Sequence, residues 1–177
     1  MHLKKEKGLK NVRVLAYSAM LAALSVVIGI FCKNFFNFGN GLFRITFENF
    51  PIILSGIVFG PAVGACVGIV SDSLSYILSS QTFAISPIVT LGAAMCGFVS
   101  GAVSHYLIPR EGSIRLIVST LAAHLAGSLI IKSIGLYVYY GPLVLWRIPT
   151  YIIIAGLEAT VLCLLFKNRD FAKIFKF

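Results

Sequence analysis

The chain has 177 residues, 58% of them hydrophobic and only 12% charged, with a mean hydropathy of +0.93. An ordinary soluble domain carries about 25% charged residues, so this composition excludes a water-soluble fold and identifies an integral membrane protein. The net charge of +9 does not indicate nucleic acid, because most of the basic residues gather at three places: Lys4, Lys5, Lys7, Lys10 and Arg13; Arg110 and Arg115; and Lys167, Arg169, Lys173 and Lys176. Evenly spaced crossings put all three on one side, which the positive-inside rule makes the cytoplasm.

A membrane span needs about 20 apolar residues. The first predicted helix covers residues 11–31, and its apolar run is too long for a signal-peptide core, so it is read as a retained span. It carries Ala19 and Ala23, four apart, a small-residue pair that suits either packing within the bundle or docking of another membrane protein. An outer loop from Cys32 to Arg44 follows. In Phe43-Arg44-Ile45-Thr46-Phe47-Glu48 apolar and polar residues alternate, predicting an extended stretch with Arg44 and Glu48 on one face.

The second span, 47–59, is short and must be tilted, lengthened by its flanks or buried among other helices. It ends at Gly60-Pro61, a turn signal. The third helix, 61–78, sets Gly64, Gly68, Asp72 and Tyr76 on one face, with Asp72 near mid-membrane. For Asp72 two readings stand: a buried ion pair, for instance with Arg44, or contact with a ligand. Tyr76, one turn nearer the outside, is the better contact candidate.

A loop over 79–87 leads to the fourth helix, 88–107, and a short cytoplasmic loop to the fifth, 114–138. There Thr120, His124, Ser128 and Lys132 form a polar stripe that cannot face lipid cheaply. Lys132 either snorkels to the outer headgroups or serves as the cation of a pocket for an anion. The sixth helix, 147–166, follows the loop Tyr-Tyr-Gly-Pro-Leu-Val-Leu-Trp. Arg147, Tyr151 and Glu158 fall roughly on one face, and Glu158 is placed to pair with His124.

These spans predict a single all-α membrane domain over 1–177, with six crossings and both termini cytoplasmic, a basic segment at 1–11 and a basic tail at 167–177. A charge near the bilayer centre costs about 2.5–3.5 kcal/mol on insertion scales. Arg44, Glu48, Asp72, Lys132, Arg147 and Glu158 therefore mark an outer polar site. Its cations and its aromatic side chains, Tyr76, Trp146 and Tyr151 among them, suit a flat, hydrogen-bonding, anionic small molecule. The cysteines Cys32, Cys66, Cys96 and Cys163 are assigned to packing, and no metal-ligand spacing occurs. No phosphate-cradling G-x-x-x-x-G-K-[ST] is present.

The run Phe43-Arg44-Ile45-Thr46-Phe47 through Pro51-Ile52-Ile53-Leu54-Ser55-Gly56, then Phe59-Gly60-Pro61, Gly64, Gly68 and Asp72, resembles the substrate-binding (S) component of energy-coupling factor vitamin transporters. With Lys132-Ser133-Ile134-Gly135-Leu136, Arg147-Ile148-Pro149 and Glu158, it most resembles the folate branch. The resemblance implies six helices, an outer vitamin site and no enzymatic activity. It also implies partnership with a transmembrane coupling protein and two cytoplasmic ATPases, so that ATP is hydrolysed by those subunits and this chain needs no cofactor. Ala19 and Ala23 would then contact the coupling protein, in a bacterial cell membrane. Arg44, Asp72, Tyr76, Lys132, Trp146, Arg147 and Tyr151 are the expected ligand contacts, for folate or a reduced folate. Two alternatives stay open: an S component for another water-soluble vitamin, and a stand-alone proton-coupled transporter with Asp72, His124 and Glu158 as its relay.

Overall fold

The computed structural model describes residues 12–35, 37–38, 43–44, 46–78, 87–108 and 112–168. The basic segment before residue 12, most of the tail after 168 and the predicted loop at 79–86 lie outside the described residues. The architecture is a helical bundle. In chain order it has α1 (Val12–Phe35), β1 (Asn37–Phe38), β2 (Phe43–Arg44), α2 (Asn49–Phe59), α3 (Pro61–Leu78), α4 (Pro87–Ala102), α5 (Ser113–Ala123), α6 (Lys132–Tyr140) and α7 (Arg147–Lys167). A π-helical turn, Val103–Leu107, continues α4, and an eight-residue π segment, His124–Ile131, joins α5 to α6 in one rod. Five of the resulting helices are long and apolar enough to cross a membrane.

The sixth, α2, is only 11 residues long, roughly 16 Å at 1.5 Å per residue. Of the three ways such a short span can be accommodated, the chain uses burial. Ile52, Ile53, Leu54, Ile57 and Phe59 are all buried, and they form the centre of a core with Val14 and Leu21 of α1, Val63 and Val67 of α3, Cys96 of α4 and Leu162 of α7. Its backbone never has to match the bilayer because neighbouring helices surround it. The outer helices instead present Leu15, Met20, Leu24 and Val27, or Ile152, Ile153, Leu157 and Val161, on exposed faces suited to lipid.

Gly60 ends α2 with φ +103°, a conformation L side chains avoid, and Pro61 then opens α3, where a missing N–H costs nothing. From that turn α3 runs antiparallel to α4 at backbone distance. A Cβ on Gly64 would strike the Gly97 carbonyl, and one on Gly68 would strike that of Ala93. Gly56 of α2 likewise abuts Gly97 and Ser100.

Two features differ from the sequence reading. Helix α1 continues through Cys32, Lys33, Asn34 and Phe35, which were expected in the loop. No glycine or proline interrupts them, and Lys33 Nζ reaches the Ser75 carbonyl at 3.4 Å, which ties the last turn to α3. The expected all-α membrane fold holds, with one short antiparallel ladder in the loop after α1, where Asn37 pairs with Arg44 and Phe38 with Phe43. The loop before α7 is a 3-10 turn, Gly141–Trp146.

Candidate ligand-binding site

One set of buried and half-buried polar residues converges at one end of the bundle. Lys132 opens α6, Tyr151 lies about one turn into α7, Thr90 about one turn into α4, and Asn49 opens α2. By the positive-inside reading this is the outer end. Lys132 is 5% exposed, which overturns the snorkelling alternative: its ammonium points into the protein. There it donates to Asn49 Oδ1 at 3.0 Å and lies 3.5 Å from Glu48 Oε1. Asp72 and Tyr151 lie within electrostatic reach of it.

Each neighbour is fixed by the chain around it. Glu48 is held at the head of α2, where Ser25 of α1 donates to its carbonyl at 2.7 Å. A Cβ on Gly29 would come within 3.0 Å of the Glu48 carboxylate and 2.8 Å of the Ser75 hydroxyl, so α1 makes room for both by lacking one there. Asn49 donates through Nδ2 to Ser128 Oγ at 3.1 Å, and Ser128 Oγ lies 3.4 Å from Cys96 Sγ. Gly92 of α4 is needed where the stem of Lys132 passes, because a Cβ there would come within 2.5 Å of its Cγ. Asp72 accepts from Thr90 Oγ1 at 2.6 Å, a helix-to-helix bond; the suggested pairing with Arg44 involves a side chain outside the described residues.

The polar stripe Thr120, His124, Ser128 and Lys132 is buried throughout. In a regular α-helix each step of four residues overshoots a full turn by about 40°, so the ends of such a stripe drift onto different faces. The π segment, with its wider turn, counters that drift and keeps Ser128 and Lys132 turned inward. Deeper in the bundle His124 Nε2 and Glu158 Oε2 lie 2.7 Å apart, the pairing the sequence predicts. Among the described residues His124 Nδ1, Glu158 Oε1 and Ser119 Oγ are buried without a hydrogen-bond partner.

Of the expected contacts, Asp72, Lys132 and Tyr151 are thus brought together, and Tyr76 is half-buried one turn above Asp72 on α3. The side chains of Arg44, Trp146 and Arg147 lie outside what the structure describes. Ala19 and Ala23 share an exposed face of α1. Sequence reasoning missed Asn49, the hub between Lys132 and Ser128, and underrated Cys96, which hydrogen-bonds as well as packs. No group of three or more potential metal ligands occurs among the described residues.

Comparison with known proteins places this geometry in context. The chain aligns at 29% identity over 77 residues with "Uncharacterized protein MG313 homolog" of Mycoplasma pneumoniae, covering 44% of this chain and 26% of that protein. The match therefore spans about a quarter of that relative's length. The fold superposes on the solved structure described as "Crystal structure of FolT bound with folic acid", with a TM-score of 0.69 and 23% identity, covering 92% of this chain and 95% of that one. The profile described as "ECF transporter, substrate-specific component" matches residues 13–171. With nearly its whole length inside that match, the chain belongs to the substrate-specific components of ECF transporters.

Proposed function

We propose that this protein captures folate or a reduced folate at the outer face of a bacterial cell membrane. It would hand the vitamin to a transmembrane coupling protein driven by two cytoplasmic ATPases. ATP is consumed by those partners, and this chain contributes binding alone. The observation that carries the reading is the buried, lysine-centred polar cluster in a fold that overlays a folic-acid-bound protein along nearly its whole length.

Asp72 would meet donors on the ligand ring, while Tyr76, Tyr151 and Trp146 offer flat faces for stacking. Arg147 at the head of α7 and Arg44 in β2 would take the acidic tail together with Lys132, since guanidinium groups fork onto carboxylates. Ala19 and Ala23, exposed side by side on α1, would let a helix of the coupling protein approach closely.

The test is equilibrium binding to detergent-purified protein, without ATP, of folic acid, thiamine, riboflavin and biotin. Folic acid should bind far more tightly than the others. Arg147→Ala should weaken it about tenfold or more, as expected for a charge-assisted hydrogen bond worth about 1.5–3 kcal/mol, while Cys163→Ala should leave it unchanged. Preference for another vitamin would replace folate in this reading. The buried His124–Glu158 pair favours one other possibility, a proton relay, and proton-driven uptake into vesicles holding this protein alone would establish it.

A further inference from the structure

We infer that Asn49 is the positioning residue that sets the site's preference for an acidic ligand: its amide holds Lys132 in place without cancelling its charge. The inference rests on the reading that Lys132 faces the ligand.

An ammonium has three N–H donors. Among the described residues that of Lys132 makes one hydrogen bond, to Asn49 Oδ1, and one ion-pair contact, to Glu48 at the longer distance of 3.5 Å. One donor is left over on a side chain that is 5% exposed, and a buried unsatisfied donor calls for a partner. The orientation of the Asn49 amide is fixed by its surroundings. Only its oxygen can accept from an ammonium, which leaves Nδ2 to donate to Ser128 at 3.1 Å. Asn49 itself is 1% exposed, so the amide has no other place to turn. The stem of Lys132 is confined on its other side by α4 at Gly92.

The residue type matters as much as the position. Lys132 already has Glu48 beside it and Asp72 within electrostatic reach. A carboxylate at position 49, the same size as the amide, would make a second close ion pair and remove the remaining attraction for an anion. An amide supplies the same acceptor as a dipole. The cation is thereby oriented, partly screened by Glu48 and still able to meet an acidic group.

The experiment compares folic acid with its neutral dimethyl ester, as affinities for the full-length purified protein and its variants. The wild type should prefer the acid. Asn49→Asp should lower affinity for the acid about tenfold or more and change that for the ester less than twofold. Glu48→Gln should move the acid-to-ester ratio in the opposite direction, and it serves equally if Asn49→Asp does not fold. A merely structural role for Asn49 would weaken both compounds alike. A wild type that prefers the acid, with that ratio unmoved in both variants, overturns this inference alone. A wild type that binds neither compound, or both equally, overturns the reading of Lys132 as a ligand contact and this inference with it.

Discussion

Gly97→Ala adds a single methyl group, and the structure puts that methyl inside another helix. A Cβ at this position would collide with the carbonyl carbon and oxygen of Gly64 and stand 3.0 Å from Ala65 N. All three are backbone atoms of α3, so no rotamer change can relieve the clash and the helices must separate. Overpacking a well-packed core costs about 1–3 kcal/mol, and a clash with rigid backbone belongs near the top of that range. Alanine returns roughly 0.5–1 kcal/mol as the better helix former, which leaves a net loss of about 2 kcal/mol. At about 2–4 °C per kcal/mol for a chain of this size, the melting temperature should fall by about 4–8 °C. Cys32 and Cys96 are buried free thiols, whereas Cys66 is exposed and Cys163 half-buried, so a thiol-reactive fluorophore reports the melt in detergent once Cys66 and Cys163 are replaced by alanine. Gly156→Ala is the control: a Cβ there meets nothing within 4 Å, and its melt should stay level or rise. Folic acid affinity should fall with Gly97→Ala as well, because parting α3 from α4 stretches the 2.6 Å bond from Thr90 to Asp72. A Gly97→Ala melt within a degree of wild type would refute this account of how α3 meets α4.

Glu158→Ala leaves His124 buried beside a void, and removing one partner of a buried pair costs about 3–5 kcal/mol. Glu158→Gln retains a hydrogen-bonding group at 2.7 Å from the imidazole and should cost less than half as much, read as the two melting temperatures. Asp72→Asn keeps the shape of the Thr90 contact while deleting its charge. It should leave the melt near wild type and weaken a ligand ring that offers donors by about tenfold, measured as folic acid affinity. Leucine at both Ala19 and Ala23 enlarges an exposed face without touching the core, so melting and vitamin binding should persist while co-purification with the coupling protein is lost. Loss of ligand binding in that double variant would argue that α1 bears on the site itself.

How far the sequence exposes the fold depends on whether a feature is local. The boundary at Gly60-Pro61 was readable because two residue types with fixed backbone preferences stand side by side, and α3 begins and ends where predicted. The pairing of His124 with Glu158 was readable because two isolated polar groups in apolar helices have few other places to go. The end of α1 was misjudged because Cys32, Lys33 and Asn34 look like loop, and the contact of Lys33 with the distant Ser75 carbonyl leaves no trace in the local pattern. Asn49 was passed over as a residue near a helix start, although a lone amide at the head of a fully buried apolar run is a signal that it has a specific partner. The π segment left no mark in the pattern, because the stripe at four-residue spacing reads the same in either helix type until tertiary contacts decide.

One register links stability to binding. Gly64 faces Gly97, Gly68 faces Ala93, and one turn further along both helices Asp72 meets Thr90. The first two steps are backbone against backbone, with no side chain to adjust, and they fix the separation at which the third step must close. A carboxylate held by a hydroxyl across that gap is therefore positioned by glycines a full helical turn and more below it. On a neighbouring face of α4, about 100° around the helix, the same device recurs, with Gly127 against Gly92 and Cys96, followed by Lys132 at the level of Asn49. Helix α4 is thus the ruler for both polar groups, one acidic and one basic. Glycine substitutions along either seam should change ligand affinity in proportion to how far they move α4, even though none of these glycines lies at the level of Asp72 and Lys132 except Gly92.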